Sequence, residues 1–166
     1  MKNLVFYRVI TYILLPFGML FGILSLFGVL IALSNPSMLL GIFLIICSVL
    51  YIFSSFSFLN KIIIRQQKAK KSFKDFIKVN ALVTIIFAVL SISGAIAALS
   101  SHQTLSTIAD EIYSMYKNSL SMTVNKDDLL KTIKGSYIFF TILFLLILLH
   151  SIITLRLIKK YAQSFV

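Results

Sequence analysis

The sequence predicts an all-α fold: a bundle of four transmembrane helices, built as two antiparallel hairpins, with a small helical cap on the extracytoplasmic face. Three observations predict it. First, 59% of the 166 residues are hydrophobic and only 13% are charged, whereas about a quarter of the residues in soluble globular domains are charged. Second, four uncharged or nearly uncharged runs are each long enough, at roughly 1.5 Å per helical residue, to cross a hydrocarbon core about 30 Å thick. Third, seven of the sixteen basic residues fall in one stretch, Asn60 to Lys78, between the second and third runs. Such a cluster is hard to carry across a bilayer and reads as a cytoplasmic loop.

The first span is expected over 9–33, after Lys2 and Arg8. Ala32, Leu33 and Ser34 loosely resemble a signal-cleavage site, but the apolar run exceeds the length of about 7 to 15 residues usual for a signal's core, so a retained helix is favoured. Pro16 removes a hydrogen bond to Tyr12 and is expected to kink the span near its cytoplasmic end. The turn Ser34-Asn35-Pro36-Ser37 is too short to do more than return the chain, so the second span, 38–59, is the antiparallel partner of the first. The basic loop, 60–78, follows, and within it Phe73, Phe76 and Ile77 are spaced to form a short interfacial face.

The third span is expected over 79–99 and the fourth over 136–158, where Arg156, Lys159 and Lys160 stop it. Between them, 101–134 is the sizeable outer segment, whose four acids and four lysines cancel. Leu105, Ile108, Ile112, Met115 and Tyr116 recur at helical spacing, and Thr107 with Asp110 fits a capping pair, so one amphipathic helix is expected over about 104 to 120. Asn125, Asp127 and Asp128 read as the start of a helix that continues through Gly135 into the fourth span. The segments assigned to the inside hold twelve basic residues against one acid, Asp75. That asymmetry predicts both termini in the cytoplasm and an integral, multi-pass protein of the plasma or inner membrane.

Residues 21–33 over 87–99 give six identities in thirteen at an offset of 66, with Ser25 on Ser91 and Gly28 on Gly94. The chain thus reads as a candidate parallel duplication of one hairpin. Helix association in lipid depends on small residues that let backbones approach. Candidate seams are Ala81, Thr84, Ala88, Ser91, Ala95 and Ala98 in the third span, Gly41, Ser48 and Ser55 in the second, and Gly18 with Gly22 in the first. Packing within one bundle is favoured over a dimer interface, because GxxxG alone is weakly specific.

His150 is the titratable residue placed deep in a span, about 12 Å from the cytoplasmic end at roughly 1.5 Å per residue, and Thr154, Ser55 and Thr84 are expected to join it in one polar layer. Its two readings are a proton-responsive or ligand-contacting site and a neutral ring bonded across helices. The second is favoured, since no intramembrane carboxylate is at hand. His102 is expected at the outer interface, and Cys47 as a buried filler without a thiol partner. Lys68, Lys70, Lys71 and Lys74 are candidate contacts to anionic lipid headgroups.

The net charge of +11 is therefore assigned to the membrane surface and not to nucleic acid, for which no soluble basic groove is available. The chain lacks HExxH, GxSxG, Walker A and CxxC motifs. No cofactor and no metal are expected. The functional expectation is a non-enzymatic accessory or structural membrane subunit, with a homo-oligomer or another membrane protein as its partner. The rival is a small oligomeric transporter or channel whose path is lined by Ser48, Ser55, Thr84, Ser91 and His150.

Overall fold

The computed structural model describes residues 2–119 and 125–166. The described residues are all-α, with five α-helices and no strand: α1 Lys2–Ser34, α2 Leu39–Phe58, α3 Lys71–Ser100, α4 His102–Ser119 and α5 Lys126–Lys160. Four stretches, Leu4–Ser34, Pro36–Ile64, Lys71–Ser100 and Lys126–Lys160, are long and apolar enough to span a membrane. Large apolar side chains such as Leu26, Phe27, Leu30 and Leu33 stand exposed along α1. In water that surface would favour association, whereas in lipid it meets a solvent as apolar as itself.

The helices run past the expected spans. α1 begins at Lys2 and continues through Pro16. A π-helical turn, Leu59–Ile64, prolongs α2, and α3 begins at Lys71, so irregular backbone within the basic loop is confined to 65–70. α5 is one helix of 35 residues, about 50 Å at roughly 1.5 Å per residue, and passes through Gly135 without a break. Asn35 accepts from the backbone N–H and the hydroxyl of Ser37, which with Pro36 closes the α1–α2 turn. Asn125 accepts from the N–H of Asp127 and caps α5 as its spacing predicted. The start of α4 differs from expectation. Ser101 accepts from the N–H of Thr104, while the Thr107 hydroxyl donates back to the Gln103 carbonyl inside the helix. Thr107 with Asp110 is thus not the cap, because His102-Gln103-Thr104 already holds helical backbone. The expected helix end at position 120 and the side chain of Tyr116 lie outside the described residues.

The chain divides into two compact units. The first, residues 1–88 and 146–166, holds α1, α2, the start of α3 and the end of α5. Its core at the basic-loop end joins all four helices: Tyr7 from α1, Phe58, Leu59 and Ile62 from α2 and its π turn, Ile77 from α3, and Leu157 and Ile158 from α5. Ile77 is fully buried there and Phe73 packs against the same cluster. Of the expected interfacial face only Phe76 stays open, because a helix beginning at Lys71 turns Ile77 inward. Phe165 enters this core too, stacked on Phe58 at 6.1 Å. Residues 164–166 are tied to the loop by a parallel bridge: the Ala69 N–H donates to the Ser164 carbonyl at 2.9 Å and the Val166 N–H to the Ala69 carbonyl at 2.9 Å.

In the same unit α1 and α2 pack as an antiparallel hairpin, with Gly18 against Ile52, Gly22 against Val49 and Gly28 against Ile42. These glycines meet residues of their own chain. Ala81, Thr84 and Ala88 are also buried. Buried positions of α1 (Tyr7, Ile10, Thr11, Leu14) recur seventy residues later in α3 (Ile77, Asn80, Ala81, Thr84). That spacing is four residues, about one helical turn, longer than the offset of the sequence identities.

The second unit, residues 89–145, pairs α4 with the start of α5. Leu105, Ala109 and Ile133 form its core, with Ile108, Ile112, Leu129 and Tyr137 against them. Lys126 and Asp110 join the two helices through an ion pair at 2.5 Å. Both partners are about half exposed, so the pair contributes under about 1 kcal/mol, and the apolar face holds α4 in place. Gly94 and Gly135 have open space around the α-carbon.

Candidate functional site

His150 sits in the first unit with no exposed surface and binds at both ring nitrogens. Nε2 lies 2.8 Å from the Thr11 hydroxyl and Nδ1 lies 2.6 Å from the Tyr51 hydroxyl. Tyr51 is in turn 2.7 Å from Thr154 Oγ1, and Thr154 reaches the Tyr7 hydroxyl at 3.3 Å. The Tyr7 ring lies flat on the imidazole, centroids 4.7 Å apart and planes 3° from parallel, while Tyr51 meets it nearly edge-on. Five side chains from α1, α2 and α5 form one node.

Local helix geometry builds the node from three pairs, Tyr7 with Thr11, Tyr51 with Ser55 and His150 with Thr154. Residues four apart share one helix face, so each helix contributes two adjacent polar positions. The hydroxyls also bond their own helices. Thr11 donates to the Tyr7 carbonyl at 2.8 Å, Ser55 to the Ile52 carbonyl at 2.8 Å and Thr154 to the His150 carbonyl at 2.8 Å. Among the described residues no buried side-chain nitrogen or oxygen lacks a partner.

A hydroxyl has one proton to give and a neutral imidazole has one. These limits leave two consistent arrangements. In one, Nε2–H donates to Thr11, Thr11 donates to the Tyr7 carbonyl, and Tyr51 donates to Nδ1. In the other, Nδ1–H donates to Tyr51, Tyr51 to Thr154, and Thr154 to the His150 carbonyl, while Thr11 turns its proton to Nε2. Both leave the ring neutral with both nitrogens engaged, so neither has a free lone pair for a metal or ligand.

The expected polar layer of His150, Thr154, Ser55 and Thr84 is thus only partly assembled by hydrogen bonds. Thr154 belongs to it. Ser55 enters through its carbonyl, which faces the Tyr7 hydroxyl at 3.5 Å, while its own hydroxyl donates to the Ile52 carbonyl. Thr84 donates to the Asn80 carbonyl on its own helix. Ser48 likewise donates to Leu44. Tyr7, Thr11 and Tyr51 complete the node, and sequence reasoning does not single them out. Their signal is the i,i+4 polar pair in each apolar run, which a count of titratable residues passes over.

Among the described residues no group of three or more His, Cys, Asp or Glu side chains is arranged to hold a metal. Cys47 is buried and free. The lysines of the basic loop separate into two groups. Lys68 and Lys70, with Lys61, line a concavity of about 630 Å³ whose other walls are Gln67, Ala69, Ser72, Phe73 and Phe76. Lys74 instead extends over the Phe165 ring, 5.9 Å from its centroid, and the backbone N–H of Lys71 donates to the Val166 carbonyl at 3.2 Å. Comparison with family models, with curated proteins and with solved structures finds no match to this chain.

Proposed function

We propose that this chain is a non-enzymatic, multi-pass membrane protein that serves as an accessory or structural subunit, with its basic loop and both termini in the cytoplasm and α4 on the outer face. Its working surfaces in this reading are the exposed apolar sides of its helices and the α4 cap, against a second copy or another membrane protein. The observation that carries the reading is the closure of the His150 node. The side chain with most claim to chemistry in the span has both nitrogens and its surrounding hydroxyls engaged by protein partners, as in a lock between helices. A transport path needs polar groups that face water or a permeating solute. Ser48, Ser55 and Thr84, three of the four hydroxyls of the channel reading, donate to carbonyls of their own helices, which favours a dry contact.

Ser48→Cys and Ser55→Cys, each in a Cys47→Ala background and reconstituted in lipid, test this. Small charged methanethiosulfonate reagents are expected to leave both cysteines unmodified from either side. Rapid modification at either position would establish a water path and make the channel the better reading.

A further inference from the structure

We infer that the concavity in the basic loop is a binding site for an anionic phospholipid whose headgroup carries a phosphomonoester. A loop that only enforced topology would need its charges and no particular shape. This one is fixed. Its backbone leaves the π turn through hydrogen bonds from Arg65 to the Asn60 carbonyl and from Gln67 to the Lys61 carbonyl. It passes Gln66 at φ 52°, a left-handed conformation costly for a residue with a β-carbon, and is then stapled at Ala69 to residues 164–166.

The result gathers Lys61, Lys68 and Lys70 around one hollow of about 630 Å³. The ion pairs among the described residues are Lys126–Asp110 and Lys131–Asp128, so these three ammoniums have no carboxylate within salt-bridge reach. Like charges held around one hollow repel one another, and a polyanion between them relieves that repulsion. Ser72, which also lines the hollow, carries a hydroxyl that can donate. Phe73 and Phe76 supply an apolar side, and Phe76 is 44% exposed at the end of a membrane-spanning helix. A phosphate with a glycerol and acyl chains attached uses both sides of the hollow, whereas free phosphate uses only the lysines. Three cations also suit a doubly charged phosphomonoester better than a singly charged phosphodiester. This inference needs the chain to sit in a bilayer and is independent of the accessory-subunit reading.

The test measures binding of a fluorescent short-chain phosphatidate to the full chain in neutral detergent, with short-chain phosphatidylglycerol and inorganic phosphate as competitors. The triple variant K61Q/K68Q/K70Q is compared with the charge-matched K78Q/K159Q/K160Q, from the same end of the molecule. Saturable binding is expected, weakened about tenfold or more by the first variant and less than about threefold by the second. Neither competitor is expected to displace phosphatidate at equal concentration. An equal loss in the two variants would mean diffuse attraction and overturn the site. Displacement by inorganic phosphate would assign the pocket to the free anion, and displacement by phosphatidylglycerol would remove the phosphomonoester requirement; either result overturns the inference.

Discussion

At position 150 the decisive quantity is the number of protons available around one ring. Phe at this position fills much of the same space but leaves Thr11 Oγ1 and the Tyr51 hydroxyl without their imidazole partner. Interhelical hydrogen bonds in membrane proteins contribute on the order of 1 kcal/mol, and a buried polar group left unpaired costs about 1–3 kcal/mol. His150→Phe is therefore expected to destabilise the protein by about 2 kcal/mol. Thr84→Ala removes a bond made only within α3 and is expected to cost under about 1 kcal/mol. Thermal unfolding of both variants in detergent measures the contrast, and an equal loss would contradict the node. The sequence marks His150 as the residue of interest, because an ionisable group in a long apolar run is conspicuous. Its real partners are less legible. Tyrosine reads as an aromatic in composition, and which helix faces meet is set by rotation about the helix axis, a variable that no single run encodes.

Within the α1–α2 hairpin, close approach makes glycine a requirement at one position and leaves it incidental at others. A β-carbon added at Gly18 would lie 2.8 Å from Ile52 Cγ2 and 3.3 Å from its Cβ. Ile52 is buried and β-branched, so it cannot swing aside. Gly18→Leu is expected to cost about 2 kcal/mol or more through overpacking. Gly94→Ala, with nothing within 4 Å, is expected to be neutral or to stabilise α3 by up to about 1 kcal/mol. Thermal midpoints of the two variants check this. A Gly18 variant that alters oligomeric state while the monomer keeps its stability would contradict the intramolecular assignment of the GxxxG pair. The helices themselves are legible in the sequence, because an apolar run of a span's length must satisfy its backbone internally once it lies in lipid, and the helix does so. Their ends are not. Lys71 to Lys78 is rich in charge yet helical, since α3 extends beyond its apolar stretch and Phe73 and Ile77 of that extension pack in the cluster that holds Phe58 and Phe165. The bridge at Ala69 depends on contacts with residues 164–166, nearly a hundred positions away in sequence.

For the molecule as a whole, the charge distribution sets the expected orientation. Twelve of its basic residues, with Asp75 the sole acid among them, belong to the segments that the helix order places on one side of the bilayer, and an excess of Lys and Arg in short loops is retained in the cytoplasm. In the proposed orientation that bias puts α4 outside and gives the basic hollow access to inner-leaflet headgroups, where each nearby lysine would add about 1 kcal/mol of attraction to anionic lipid. The helices are the same whichever way they face, so orientation is a property of the chain in its membrane and is measured there. The most direct measurement uses Lys70→Cys and Ser114→Cys, each in a Cys47→Ala background, exposed in intact cells to a membrane-impermeant maleimide. Position 114 is expected to react at once and position 70 only after the membrane is permeabilised. Labelling of position 70 in sealed cells, with position 114 protected, would contradict it.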